Sequence, residues 1–280
     1  VRKTERQRPE CRSAGPEQSG SKGKRNMSIY EGIFIRRSVR KYKMEPLEPG
    51  ILEALERFLK NASPLDSQSR VSFEIIDNLK CREKVRGVWK AEAPYYLAVY
   101  CESGSVACRN AGYLSEQAVL YLTSREIGTC YLGETRVGDA QKDGLKRLLV
   151  IAFGRPEGKN GTEKTAKRLP LSSLCVYKDE PGEQVKAILR AARLAPSSFN
   201  SQPWRFVVYS DRIYIFARKG AMPRIKALAS MRDFNMGIML SHIMLAAEEF
   251  WMNMETVTEE QFLKKTYKNG DYICTIVFHS

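Results

Sequence analysis

The chain has 280 residues, 43% hydrophobic and 28% charged, which excludes a disordered chain and suffices for one large domain or two small intimate ones. Lys and Arg number 46 against 32 Asp and Glu, and a formal net charge of +14 directs the chain toward anionic partners: nucleic acid, a membrane surface or a phosphate-bearing cofactor. Seven scattered cysteines with no C-x-x-C pair support neither a zinc site nor a disulfide framework, and no metal is expected.

Residues 1–26 are rich in Ser, Gly, Lys and Arg, with Ala14 the one aliphatic residue after Val1. Such a segment cannot bury enough apolar surface to offset its ordering entropy. It reads as a disordered basic tail, or as sequence ahead of a natural start at Met27. No secretory apolar core follows it, and the most apolar stretch, 234–247, is interrupted by Asn235, Ser241 and His242. The expectation is a soluble, cytoplasmic protein without a membrane partner.

From Ile33 the pattern predicts a short helix, then an extended basic segment, Arg36-Arg37-Ser38-Val39-Arg40-Lys41. Three arginines, a lysine and a hydroxyl can hold a phosphate by charge-assisted hydrogen bonds; a solvated basic face is the alternative. Ile51, Leu52, Leu55, Phe58 and Leu59 form a helical stripe, and 71–76 alternates like a strand. A helix over 81–90, a strand over 95–100 and a long amphipathic helix over 110–127 follow, the last stopped by Gly128. Residues 129–133 are extended and 148–153 form an apolar strand.

A polar, lysine-rich connector then precedes a second run of elements. A helix spans Val185 to Leu194, and a loop follows, Ala195-Pro196-Ser197-Ser198-Phe199-Asn200-Ser201-Gln202-Pro203-Trp204. Two prolines fix its backbone, while Ser197, Ser198, Asn200 and Gln202 supply groups that can turn toward a polar ligand. Short strands at 205–209 and 213–217, a long helix capped by Asp233, a short helix near 259–264 and a strand over 272–278 complete the chain. Gly112 and Gly237, Leu120 and Leu245, Ile151 and Ile276, and Phe153 and Phe278 are each separated by 125 positions. This register predicts one α+β fold unit duplicated and fused, with boundaries at 27–157, 158–175 for the connector, and 176–280.

These residues resemble the nitroreductase family of flavoenzymes, in particular its fused tandem members. The family pattern R-R-S-x-R is matched by Arg36-Arg37-Ser38-Val39-Arg40, and A-P-S-x-x-N-x-Q-P-W by Ala195-Pro196-Ser197, Asn200, Gln202, Pro203 and Trp204. The resemblance implies a nitroreductase-like fold of two pseudo-symmetric halves and FMN as cofactor. It assigns the phosphate and ribityl oxygens to Arg36, Ser38 and Arg40, with Arg37 beside them and Arg168 or Lys164 closing over. Pro196, Ser197, Ser198 and Asn200 line the ring edge and ribityl, and Leu132 and Gly133 lie beside N5. Ordinary family members carry both motifs in one subunit and bind each flavin between two. Here the first half lacks the Pro-Ser loop, reading Asn61-Ala62-Ser63-Pro64-Leu65-Asp66-Ser67, and the second lacks the arginines, reading Val176-Tyr177-Lys178-Asp179-Glu180-Pro181. One FMN per chain is the expectation, in a monomer that imitates a dimer.

The implied activity is ping-pong hydride transfer from NAD(P)H through flavin N5 to a small nitroaromatic or quinone-like acceptor, with no protein residue as catalyst. The other readings are a dehalogenase or flavin-consuming enzyme on the same fold, a flavin-storage protein, and a nucleic-acid-binding protein; no nucleic-acid partner is expected. Trp204 reads as a core or interface anchor, and His242 as structural.

Overall fold

The computed structural model describes residues 27–82, 85–87, 91–133, 135–158, 166–220 and 226–279, the side chains of 226–230 excepted. Residues 1–26 and Lys164 lie outside them. Helix α1 (Ile29–Ile35) begins at a reciprocal cap: Ser28 Oγ accepts the Glu31 N–H at 3.1 Å and Glu31 Oε2 accepts the Ser28 N–H at 2.8 Å. The apolar stripe after it makes α2 (Ile51–Asn61), followed by β1 (Val71–Asp77), α3 (Asn78–Cys81), β2 (Tyr95–Cys101), α4 (Ser105–Thr123), β3 (Gly128–Leu132), β4 (Gln141–Lys142) and β5 (Leu145–Gly154). The rest is α5 (Leu171–Leu174), β6 (Cys175–Tyr177), α6 (Glu183–Arg193), β7 (Trp204–Val208), β8 (Arg212–Arg218), α7 (Lys226–Glu249), β9 (Asn253–Val257), α8 (Glu260–Leu263) and β10 (Gly270–His279).

Two sheets result, the first antiparallel and the second with one parallel pair, β6–β7. The first sheet has the order β1-β2-β5-β3, with β4 pairing off β5, and the second β6-β7-β8-β10-β9. The four main strands of each sheet therefore take one order: first, second, fourth, third. The bounds of β9 and β10 are those of β3 and β5 advanced by 125 residues. Between the sheets, α4 and α7 pack along each other, with α1 against both, α2 on α4 and α6 on α7, and one continuous apolar core fills the space.

The α4–α7 crossing explains the paired glycines. A Cβ on Gly112 would lie 2.0 Å from the Phe234 carbonyl oxygen, and one on Gly237 would lie 1.9 Å from the Arg109 carbonyl oxygen. Residues 109 and 234 are themselves 125 apart, so the contact is reciprocal, as across a two-fold axis.

Four sequence expectations need correction. Of the helix expected over 81–90, residues 83, 84 and 88–90 lie outside the described ones; among the rest, Cys81 ends the single turn α3, which Asp77 caps and Arg82 leaves left-handed at φ 46, and Arg86 bridges Arg136. Helix α4 starts at Ser105 and ends at Thr123, with Glu126 in the left-handed conformation at φ 61. Gly128 is thus the first residue of β3 and not a helix stop; its missing side chain makes room for Val39, whose Cγ2 would stand 2.7 Å from a Cβ there. Asp233 does not cap α7: the helix begins at Lys226, and Asp233 is buried within it. Part of the expected connector is ordered structure, α5 and β6, the latter pairing in parallel with β7.

Candidate functional site

Strand β3 lies at the edge of its sheet, and its open side is filled by the basic segment: Ser38 bridges Thr129 in parallel, and Val39 N–H donates to the Thr129 carbonyl at 2.9 Å. An extended segment alternates its side chains, so the burial of Val39 in the outer core leaves Arg36, Ser38 and Arg40 on the opposite face. Arg36 and Ser38 are half-buried, whereas Arg37 and Arg40 are exposed. The Arg36 guanidinium makes no hydrogen bond or ion pair with a described residue.

The Pro-Ser loop comes to this segment from the other end of the chain. Its residues Phe199 (φ 54), Asn200 (φ 52) and Gln202 (φ 44) are left-handed, a conformation that side chains other than glycine adopt only under tertiary restraint. The restraints are hydrogen bonds. Ser197 Oγ accepts the Gln202 N–H at 2.9 Å, Gln202 Oε1 accepts the Leu169 N–H at 2.8 Å, and Asn235 Oδ1 accepts the Ser198 N–H at 3.1 Å. Arg168 completes the lock, donating to Asn200 Oδ1 at 2.7 Å and to the Leu194 carbonyl at 3.2 and 3.3 Å.

Arg36 and Arg168 are close enough to feel each other's charge. Burial, and after it the Arg36 and Arg193 charges, hold the Arg168 guanidinium down to about 10, against the pull of Glu116 in the other direction. Arg36 and Arg193 thus lie within electrostatic reach of Arg168, and the buried Glu116 carboxylate opposes them. A phosphate fits that imbalance, and FMN carries one; the loop's hydroxyls and amide suit its ribityl chain. Gly133 suits the close approach of a ring, since a Cβ there would meet nothing within 4 Å.

Tyr131 links the two sides. Its ring packs edge-on against Phe234 of α7, centroids 5.8 Å apart, one residue before the Asn235 that anchors the loop. Its hydroxyl donates to Glu116 Oε2 at 2.6 Å, and burial, then Glu116, push it well above the usual tyrosine range while Arg36 pulls it down. Glu116 Oε1 lies 2.9 Å from His242 Nε2, and His242 Nδ1 lies 2.9 Å from the Ala191 carbonyl.

The structure thus brings Arg168 onto the loop of Ser197, Ser198 and Asn200 and within electrostatic reach of Arg36, while Ser38 bridges β3 and Gly133 follows that strand. Pro196 is half-buried in the same loop. Leu132 sends its side chain into the outer core with Val39 and Cys130, so only its backbone is available. Trp204 is fully buried, a core anchor, and His242 is likewise core. Sequence reading missed Glu116, Tyr131, Arg193 and Asn235. Asn110 and Asn235 are identical residues 125 apart, a signal within the same register. Among the described residues no His, Cys, Asp and Glu cluster could hold a metal, and no helix is long and apolar enough to cross a membrane.

Comparison with known proteins agrees with the fold. A curated relative from Archaeoglobus fulgidus, named "Putative NADH dehydrogenase/NAD(P)H nitroreductase", is 50% identical over 42 residues, 14% of this chain and 24% of that protein's length. A solved structure of a "putative nitroreductase" from Thermotoga maritima MSB8 is 21% identical, with a TM-score of 0.59 over 94% of this chain and 99% of that one. Oxidised iodotyrosine deiodinase bound to FMN and 3-iodo-L-tyrosine is 20% identical, with a TM-score of 0.38 over 51% of this chain and 96% of that one. The family described as "Putative TM nitroreductase" matches residues 28–247, from the first helix into α7, and the chain belongs to it.

Proposed function

We propose that the chain is an FMN-dependent oxidoreductase taking electrons from NADH or NADPH for nitroaromatic or quinone-like acceptors, with one cofactor per chain in a fused, duplicated fold. The observation that carries the reading is Arg168, hydrogen-bonded into the restrained Pro-Ser loop at Asn200 and within electrostatic reach of Arg36. FMN, when bound, supplies the hydride chemistry. Arg36, Ser38 and Arg168 hold the phosphate; Arg37 and Arg40, exposed beside them, add long-range attraction for an anion. Ser197, Ser198 and Asn200 receive the ribityl hydroxyls, Pro196 shapes the edge of the cleft, and the Leu132–Gly133 backbone stabilises charge at the ring. No side chain of this set needs to act as nucleophile.

The repeated strand order and the reciprocal glycine contacts support the duplication. They favour a monomer, since α4 and α7 already bury the surface that a dimer of single units would share. Anaerobic mixing of the FMN-loaded protein with NADH or NADPH tests the activity. Flavin absorbance is expected to bleach and to recover on adding a nitroaromatic or a quinone; no bleaching with either nucleotide would overturn the proposal.

A further inference from the structure

The Glu116–His242 pair has no part in the proposed chemistry. Both side chains have zero exposure, and they come from different central helices. A carbonyl can only accept, so His242 Nδ1 carries a hydrogen toward Ala191. One further proton lies between Nε2 and Glu116 Oε1, on one or the other, and the second carboxylate oxygen accepts from Tyr131. The chain of bonds runs from α6 through α7 and α4 to β3, ending one residue before Leu132–Gly133. Besides His242 and Tyr131, the charge facing Glu116 is Arg168, while Arg36 reaches Tyr131.

The network is one-sided. At the positions 125 residues away, Glu116 is replaced by Ser241, His242 by Gln117 and Tyr131 by Thr256. A bond needed only to hold the two helices together would serve equally on both sides of a reciprocal crossing. This one stands on the side that has Arg36 and the Pro-Ser loop.

We infer that Glu116, braced by His242, is a positioning residue: through the Tyr131 hydroxyl it fixes the Leu132–Gly133 backbone against the cofactor and so sets the cofactor's affinity and reduction potential. The inference rests on the proposed flavin site, but its test separates the two. Tyr131→Phe removes one oxygen and leaves the Glu116–His242 pair whole. Relative to wild type, it is expected to raise amide exchange at Leu132 and Gly133 in the apo-protein. It should also weaken FMN binding by about tenfold, as for a lost charged hydrogen bond, and shift the midpoint potential. Glu116→Ala should do the same. Glu116→Gln should restore exchange and affinity, because the amide can accept from Tyr131 and donate to Nε2, yet leave the potential with an altered pH profile because the shared proton is gone. If Tyr131→Phe matches wild type in exchange and potential, the inference fails, whatever Arg36→Ala does to flavin retention. If the exchange and potential move as expected while Arg36→Ala retains flavin, the phosphate assignment fails and the inference stands.

Discussion

Replacing Arg36 with alanine separates binding from folding unusually well. The guanidinium is half-exposed and has no hydrogen-bonded partner among the described residues, so its loss strands no buried group and should move the melting temperature little. One charged hydrogen bond to a phosphate contributes about 1.5–3 kcal/mol, which makes FMN binding roughly 10- to 150-fold weaker. A second group limits the loss. Arg168, lowered by burial and then by the Arg36 charge only to about 10, is charged at neutral pH with or without Arg36 and retains part of the phosphate contact. The loss should therefore fall toward the lower end of that range, and the double variant with Arg168→Met should exceed either single variant. Fluorescence titration of apo-protein with FMN measures the affinity, and a thermal melt followed by circular dichroism checks the fold. An Arg36→Ala protein that binds FMN as wild type does would place the phosphate elsewhere.

Three further outcomes rest on the same geometry. Gly237→Ala and Gly112→Ala each push a Cβ against the partner helix's backbone, at 1.9 and 2.0 Å, so each should cost about 3 kcal/mol or more in urea unfolding; tolerance of either would mean that the helices are not in that contact. Ser63→Ala lies in the loop without the Pro-Ser motif, and flavin content should stay at one per chain by absorbance against protein mass, whereas a saturated ratio near two would refute the single site. Burial pushes the Cys274 thiol up to about 12, leaving about one thiolate in ten thousand at pH 8, while Cys81 is exposed; a short iodoacetamide pulse should label the Cys81 peptide and spare Cys274 until the chain unfolds.

Where burial has a period, the sequence was readable. The stripe of α2, the unbroken apolar run of β5 and the loop between α6 and β7 stand where the residues put them. The misreadings are local choices that only tertiary structure decides. Residues 81–90 have helical composition, yet the turn ends as soon as Arg82 goes left-handed. Gly128 looks like a helix stop, but Val39, far back in sequence, is what requires it to be small. Glu116 escaped notice for a related reason: a carboxylate on an apolar helix face makes sense only once His242, on another helix, and Tyr131, on a strand, are seen around it. The arginines and the loop were visible because each is a contiguous motif. Their joining was expected only through the family resemblance, since the edge of β3 and Arg168, on which it depends, are far apart in sequence.

The arrangement of the two loops narrows what a duplicated unit would have kept and lost. In the first sheet's loop, Leu65 N–H donates to Asn110 Oδ1 at 3.0 Å; in the second's, Ser198 N–H donates to Asn235 Oδ1 at 3.1 Å. The two asparagines are equivalent in register, so both loops hang from the same anchor on the same central helix of each half. The side chain presented next to it differs: Leu65 on one side, the hydroxyls of Ser197 and Ser198 on the other. Likewise the glycines that let α4 and α7 touch are matched, whereas Arg36, Glu116 and Tyr131 have no matching residue. The helix-contact glycines and the loop anchors are shared; Arg36, the Ser197 and Ser198 hydroxyls and the Glu116–Tyr131 bond are not. A drift in stability alone would erode both kinds of position alike, because buried anchors are at least as sensitive to substitution as surface groups. Under the proposed flavin site and duplication, a difference confined to groups in and behind that site is the pattern expected if one of two sites became dispensable while the frame that builds the other could not be altered on either side.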